Sequence, residues 1–301
     1  MKQIAENIII ETEYTGVTLG AIIQHDRVIY IDAPLLPEHA RLWRIAATAR
    51  KKIPQQVILM DAHYDRTIGS RYLECTIIAH EEVHWIYQNR PVTFKPISRN
   101  SGSVWETINL QNGFRWIYPE IVFSQRMDLH QSQLHIDLQY HPGPSAGSAW
   151  VEVPARRVIF IGDTVVKGQV PFLYSANTDA WLNTLDELEQ RYNEGYLLVC
   201  GRGGLVEKKD IRSMRDFLKK TRDCMSDYAA CNDTDDRIDS LIGQLDINSF
   251  FDIKNDKNGM MVERLSYGLH HYFRRNYMHI DETAQENAEA EEESAETAAA
   301  L

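Results

Sequence analysis

The sequence predicts an α/β protein built in layers, followed by a helical C-terminal extension. Three observations predict it. Short apolar runs bounded by turn residues recur between residues 17 and 200, and amphipathic helical spacings separate them at 37–52 and 178–193. From 207 to 279 the pattern turns helical and charged. The chain divides accordingly into a layered domain over 1–206, an extension packed on it over 207–279, and an acidic tail over 280–301.

Residues 17–32 place two apolar runs around Gln24-His25-Asp26-Arg27, a hairpin whose polar turn leaves His25 in solvent. A helix starts at Pro37, carries Leu42, Ile45, Ala46 and Ala49 on one face, and ends in the basic Arg50-Lys51-Lys52. The run Val57-Ile58-Leu59-Met60 reads as a short buried strand. A turn or helix at 67–74 and a strand at 76–79 follow. Strand patterns return at 134–140, 148–153 and 157–162, separated by turn-rich stretches. In the helix at 178–193, Trp181, Leu182, Leu185, Leu188 and Tyr192 share a face, and a strand at 196–200 runs into Gly201-Arg202-Gly203-Gly204. Breaks fall near 232–236 and 254–259 in the extension. The segment from Gly268 to Arg275 reads as a helix with aromatic core contacts and a basic rim. The tail has too few large apolar residues to fold and is expected to be disordered.

The formal charge of −11 belongs mostly to that tail: residues 281–301 hold eight carboxylates and no base, leaving about −3 for the remainder. A near-neutral body argues against a nucleic-acid partner. The N-terminus has no hydrophobic signal core, and no apolar run approaches the ~18 residues of a membrane span. Cys75, Cys200, Cys224 and Cys231 form no Cys-x-x-Cys pair, so reduced thiols in a cytoplasmic protein are expected.

The chemistry concentrates after the strand ending at Met60. Asp61, His63 and Asp65 alternate toward one pocket, with Arg66 turning in beside them. This spacing resembles the His-x-His-x-Asp-His signature of the metallo-β-lactamase superfamily, with Asp61 and Arg66 standing at histidine positions. Val158 to Asp163 resembles that family's strand ending in a metal-bridging aspartate. Val199-Cys200-Gly201-Arg202-Gly203 resembles its Gly-His-Gly turn, with Arg202 at the histidine. Pro142 to Ser148 resembles a further ligand segment but holds no histidine; Pro144, Ser145 or nothing takes the ligand position, and the nearest imidazole is His141. These segments occur in order over residues 16–205. The resemblance implies a four-layer αββα sandwich, a hydrolase-like activity, and a cleft lined by His141 and Ser145.

Of the family's ligands this chain keeps His63, Asp65 and Asp163, with Asp61 as a further oxygen donor. Asp61, His63 and Asp163 would make an open, oxygen-rich site for one divalent metal (Zn, Mn or Mg). Asp65 would then orient or activate water as general base. The second site's histidine positions carry Arg66 and Arg202, which never ligate metal. Two guanidinium groups aimed at converging carboxylates would instead pair with Asp65 and Asp163 and fill the second metal's space.

A competing motif is His80-Glu81-Glu82-Val83-His84, which matches H-E-x-x-H; on one helix its histidines could chelate zinc with Glu81 as base and Glu106 as a third ligand. Against it, Thr76 to Ala79 reads as a strand, which puts His80 at a helix start. His135, His270, His271 and His279 show no metal spacing. Three readings remain open: a hydrolase with at most one metal acting on a small molecule, a catalytically silent binding or scaffold protein with an Arg/Asp network and no metal, and a zinc peptidase. The sequence names neither substrate nor oligomeric state.

Overall fold

The computed structural model describes residues 1–48, 52–90, 93–94, 101–107, 114–115, 117–131, 134–230, 238–253, 256 and 259–278. In chain order the strands are β1 (Lys2–Ala5), β2 (Ile8–Glu11), β3 (Leu19–Ile23), β4 (Arg27–Ile31), β5 (Ile53–Ile58), β6 (Thr76–His80), β7 (Thr93–Phe94), β8 (Phe114–Arg115), β9 (Ile121–Phe123), β10 (Arg126–Gln131), β11 (Leu134–Tyr140), β12 (Ala149–Val153), β13 (Val158–Phe160), β14 (Leu197–Cys200) and β15 (Gly204–Leu205). The helices are α1 (Pro37–Thr48), α2 (Tyr64–Thr67), α3 (Glu81–Gln88), α4 (Thr178–Asn193), α5 (Lys208–Ala230), α6 (Ser240–Leu245), α7 (Ile247–Phe250) and α8 (Met260–Tyr277).

Two sheets carry the fold. The first has the order β1-β2-β3-β4-β5-β6-β9, the second β10-β11-β12-β13-β14-β15, and β7 pairs with β8 in a short ribbon. Within the first sheet β4, β5, β6 and β9 run parallel, with α1 crossing from β4 to β5. In the second, only β13 and β14 are parallel, joined through α4. Strand alternation sorts the apolar side chains into layers. Ile22, Ile29, Ile31, Ile58 and Ile78 meet Ile136, Leu138, Val151, Val158 and Phe160 between the sheets. The other face of the first sheet packs on Trp43, Val83 and Tyr87 from α1 and α3. The outer face of the second packs on α4, and the same core takes in Phe217, Leu265 and Leu269 from the extension. The architecture is an αββα sandwich with the extension sharing one core with the second sheet.

The helix at 37–48 turns differently from its expected face. Leu42 and Ile45 are exposed, and Ala40, Trp43 and Ala47 are buried. The face that is buried carries the indole of Trp43, packed against the sheet, and the two alanines let the helix approach closely. Residues 49–51 lie outside the described residues, as do the break at 232–236, Cys231, His279 and the tail at 280–301. The sequence reading missed the hairpin of β1 and β2, whose turn holds Asn7 at φ 62°, and the strands β9 and β10. Among the described residues no helix is long and apolar enough to cross a membrane.

Backbone bonds tie the ends of the two sheets together at one edge. Ala149 N–H donates to Met60 O at 2.9 Å, Thr18 N–H to Gly201 O at 2.7 Å, and Gly201 N–H to Gly162 O at 2.7 Å. The loops leaving the carboxyl ends of β5, β13 and β14 therefore converge, the position where open parallel sheets gather ligands.

A candidate metal centre and its arginine network

Each site residue is held by a local turn. After β5, Asp61 Oδ1 accepts the His63 N–H at 2.9 Å, a side-chain turn that reverses the chain. His63 sits extended at φ −64°, ψ 137° as the residue before α2, so Asp65 and Arg66 enter on its first turn. Thr67 Oγ1 donates back to His63 O at 2.9 Å and fixes that turn. Asp163 lies on the 3-10 turn that ends β13. Arg202 sits in the bend between β14 and β15, where the Cys200 thiol donates to the carbonyls of Arg202 (2.9 Å) and Gly204 (3.1 Å).

These turns bring together Asp61, His63, Asp65, Arg66, Asp163 and Arg202. Arg202 forms a two-pronged pair with Asp65, Nη1 to Oδ2 at 2.5 Å and Nη2 to Oδ1 at 2.9 Å. Its Nε donates to Asp163 Oδ2 at 2.9 Å and its Nη1 to Gly16 O at 2.6 Å. Arg66 donates through Nη2 to Asp163 Oδ1 at 2.5 Å and through Nη1 to Asp61 Oδ2 at 3.2 Å. Arg66 thus pairs with Asp163 and Asp61, and Arg202 with Asp65 and Asp163. Gly201 makes room for this: a Cβ there would lie 2.8 Å from both terminal nitrogens of Arg66 and from Asp163 Oδ1. All five charged residues are buried, and His63 is the member that reaches solvent, with 23% of its side chain exposed.

His63 Nδ1 is buried and lies 2.9 Å from Asp61 Oδ2, which it pairs with, and 3.9 Å from Asp163 Oδ2. The three donor atoms lie within 4.8 Å of one another, the one such His/Cys/Asp/Glu group among the described residues. Asp65 has no free oxygen for the general-base role expected above. Burial pushes its carboxyl up, but Arg202 and then Arg66 overcome that and hold it below the usual aspartate range. A carboxylate held low and doubly bonded is a poor proton acceptor at neutral pH. Asp61 and Asp163 show the same balance: burial raises them, and the guanidinium groups bring them below normal.

Asp32 is the residue the sequence reading missed. It follows β4 in the left-handed region (φ 58°), accepts Met60 N–H at 2.9 Å, and lies 3.7 Å from Arg66 Nη1. An aspartate in a left-handed bend just after an apolar strand was the available signal. Burial pushes its carboxyl up to about 7, against the pull of Arg66. The folded chain therefore holds a proton on Asp32 that the unfolded chain gives up near pH 4. This contribution is full below pH 4 and falls as pH rises toward 7. Asp32→Asn keeps the bond to Met60 and tolerates the bend. In chelator it is expected to match wild-type stability near pH 4 and exceed it by about 1–3 kcal/mol at pH 8, read from urea midpoints at both pH values.

His141 and Ser145 are not brought into the cluster. His141 stacks on Trp150 at 3.6 Å, with Gln139 at 3.2 Å and Glu187 at 3.8 Å, on the outer face of the second sheet. It shares that face with Gln139 because side chains alternate along the strand. Burial, then Arg191, lowers its pKa to about 4. Ser145 pairs with Ser148, Oγ to Oγ at 3.0 Å, inside its own turn.

The zinc-peptidase reading fails on His80. It ends β6 and caps α3, its Nδ1 accepting the Glu82 N–H at 3.2 Å while Nε2 donates to Ser124 O at 2.5 Å. Both ring nitrogens are spent, and Glu106 instead accepts from Ser101.

The family model of the metallo-β-lactamase superfamily matches residues 49–199. The DIM-1 metallo-β-lactamase superposes with a TM-score of 0.58 at 14% identity, over 72% of this chain and 95% of that one. A metallo-β-lactamase from Erythrobacter litoralis, with β-mercaptoethanol in its active site, gives 0.55 at 14% identity, over 73% and 95%. One from Pontibacter korlensis gives 0.54 at 13% identity, over 72% and 97%. Identities this low speak for the fold alone. No curated protein matches the sequence. A family match over half the chain, on a sandwich that gathers the expected segments at one edge, places this chain in the metallo-β-lactamase superfamily.

Proposed function

We propose that this chain is a hydrolase-like protein with one metal position, formed by Asp61, His63 and Asp163, in which Arg66 and Arg202 occupy the place of a second metal. The observation that carries this is the convergence of three donor atoms within 4.8 Å of one another, with the buried Nδ1 of His63 facing carboxylate oxygens of Asp61 and Asp163 at 2.9 and 3.9 Å. Ligands held at ~2.0–2.2 Å around a tetrahedral ion stand about 3.3–3.5 Å apart, so the spacing fits after small shifts. Charge agrees: Asp61, Asp65 and Asp163 face Arg66 and Arg202, an excess of negative charge that favours a cation, while Asp32 beside Arg66 holds its proton. The donor set suits Zn²⁺, Mn²⁺ or Mg²⁺.

Such an ion would supply Lewis acidity for hydrolysis of a small-molecule ester, thioester, lactam or phosphodiester. The chain's own part is to keep the carboxylates ionised with Arg66 and Arg202, hold His63 at the mouth, and exclude water from Asp65 and Asp163. Free thiols at Cys75, Cys200 and Cys224 support a cytoplasmic setting.

A second reading, a silent binding or scaffold protein, is favoured by one observation. Every oxygen of Asp61, Asp65 and Asp163 already accepts a bond from a guanidinium or a backbone N–H. A panel of those four substrate classes, with Mn²⁺ or Zn²⁺ and with chelator, separates the two. Turnover that disappears in chelator and in His63→Ala is expected. No turnover of any class, with no metal retained, leaves the silent reading.

A further inference from the structure

We propose that the C-terminal helix α8 is a working part of this site: Arg264 is a positioning residue that seats Phe172 against His63, and Phe172 gates the mouth of the pocket. The family model ends at residue 199, so α8 lies outside the matched stretch. One stripe of α8 is nevertheless given over to the segment that borders the site. Met261 Sδ accepts the Val170 N–H at 3.4 Å. Arg264 Nη1 donates to Gln169 Oε1 at 2.6 Å and Val170 O at 3.0 Å. A Cβ on Gly268 would lie 3.0 Å from Leu173 Cβ. Tyr272 Oη and Thr178 Oγ1 are 2.8 Å apart, and Arg275 donates to the carbonyls of Tyr174 and Ala176. Positions 261, 264, 268, 272 and 275 follow the three- and four-residue steps of one helix face.

Arg264 is the centre of that stripe. It is 1% exposed and is bonded to neutral oxygens rather than a carboxylate. A buried cation without an anion is costly unless its donors are met. Nε and Nη2 both reach Gly102 O, at 3.0 and 2.7 Å, so Arg264 clamps the 101–107 loop and the 169–173 segment together. Gly102 admits it by having no side chain: at φ 62°, a Cβ would meet Met260 O at 2.3 Å. The guanidinium lies 4.1 Å from the Phe172 ring centroid, and that of Arg202 lies 5.1 Å from it. With both cations over it, the half-buried ring sits 5.3 Å from the His63 imidazole, the one cluster member open to solvent. The solvent-reaching member of the cluster therefore has Phe172 beside it, and the ring's seat is set from α8.

This rests on reading the cluster as the site but not on its holding a metal, so the test is run in chelator. Carbethoxylation of histidines by diethyl pyrocarbonate is followed by mass spectrometry in wild type, Phe172→Ala, Arg264→Met and Arg264→Lys. The exposed His25 serves as reference and the buried His80 as control for general loosening. Removing the ring or its cation seat is expected to raise the His63 rate at least about fivefold over His25, with His80 still protected. Lysine cannot reproduce the forked bonds and is expected to resemble methionine rather than wild type. A His63 rate in Phe172→Ala within twofold of wild type overturns the gate, and so does a parallel rise at His80. Should the Arg264 variants fail to fold, Phe172→Ala alone decides.

Discussion

Arg202→Met is expected to destabilise the protein by about 3–5 kcal/mol. The substitution leaves both oxygens of Asp65 and one of Asp163 buried without their partner. A loss of that size is a large share of the ~5–15 kcal/mol that holds a typical domain together. The effect comes from the stranded charge rather than from the worth of the pair. Adding Asp65→Asn to Arg202→Met is therefore expected to recover at least half of the loss, a non-additivity that a double-mutant cycle reads from urea midpoints at unchanged slope. Arg66→Met is expected to cost less. Arg66 leaves its buried Nε without a partner, whereas Arg202 uses Nε, Nη1 and Nη2. Additive losses for Arg202→Met and Asp65→Asn would show that the pair is not what stabilises this end of the sandwich.

The second large effect is a gain of metal. In Arg66→His with Arg202→His, the two guanidinium charges are gone and two imidazoles stand beside Asp65 and Asp163. Guanidinium never ligates metal, whereas neutral imidazole does so readily. The double variant is expected to bind one more Zn²⁺ per chain than wild type. In chelator it is expected to melt well below wild type, since the carboxylates repel one another. Zinc at a hundred times its dissociation constant should return about 2.7 kcal/mol. No additional equivalent, or a melting temperature indifferent to zinc, would mean that the arginines do not stand where a second ion fits.

Much of the fold was legible because apolar periodicity is a local signal. β11 and α4 fall on the residues whose spacing marked them, and β6, β12, β13 and β14 fall close by, while β5 spans Ile53–Ile58 and shares only Val57 and Ile58 with the run expected at 57–60. What failed depended on competition between distant partners. Leu42 and Ile45 had the spacing of a core face, but Trp43 with Ala40 and Ala47 fitted the sheet better. For the site, Asp61, His63, Asp163, Arg66 and Arg202 could be listed from spacing and resemblance. Spacing could not say which carboxylate each guanidinium takes. Nor could it show that Asp65 would be fully occupied, or that His141 would turn to the outer face. Asp32 and Arg264 lie about thirty residues before the cluster and sixty residues after Arg202 in sequence. Neither belongs to a motif, and only packing brings them to the site.

Arg66 and Arg202 are expected to leave this superfamily member room for no more than one metal. Elemental analysis of protein purified without chelator tests it most directly. At most one equivalent of Zn, Mn or another divalent ion per chain is expected, falling to none in His63→Ala. Two stoichiometric metals per wild-type chain would mean that the arginines do not fill the second metal's place.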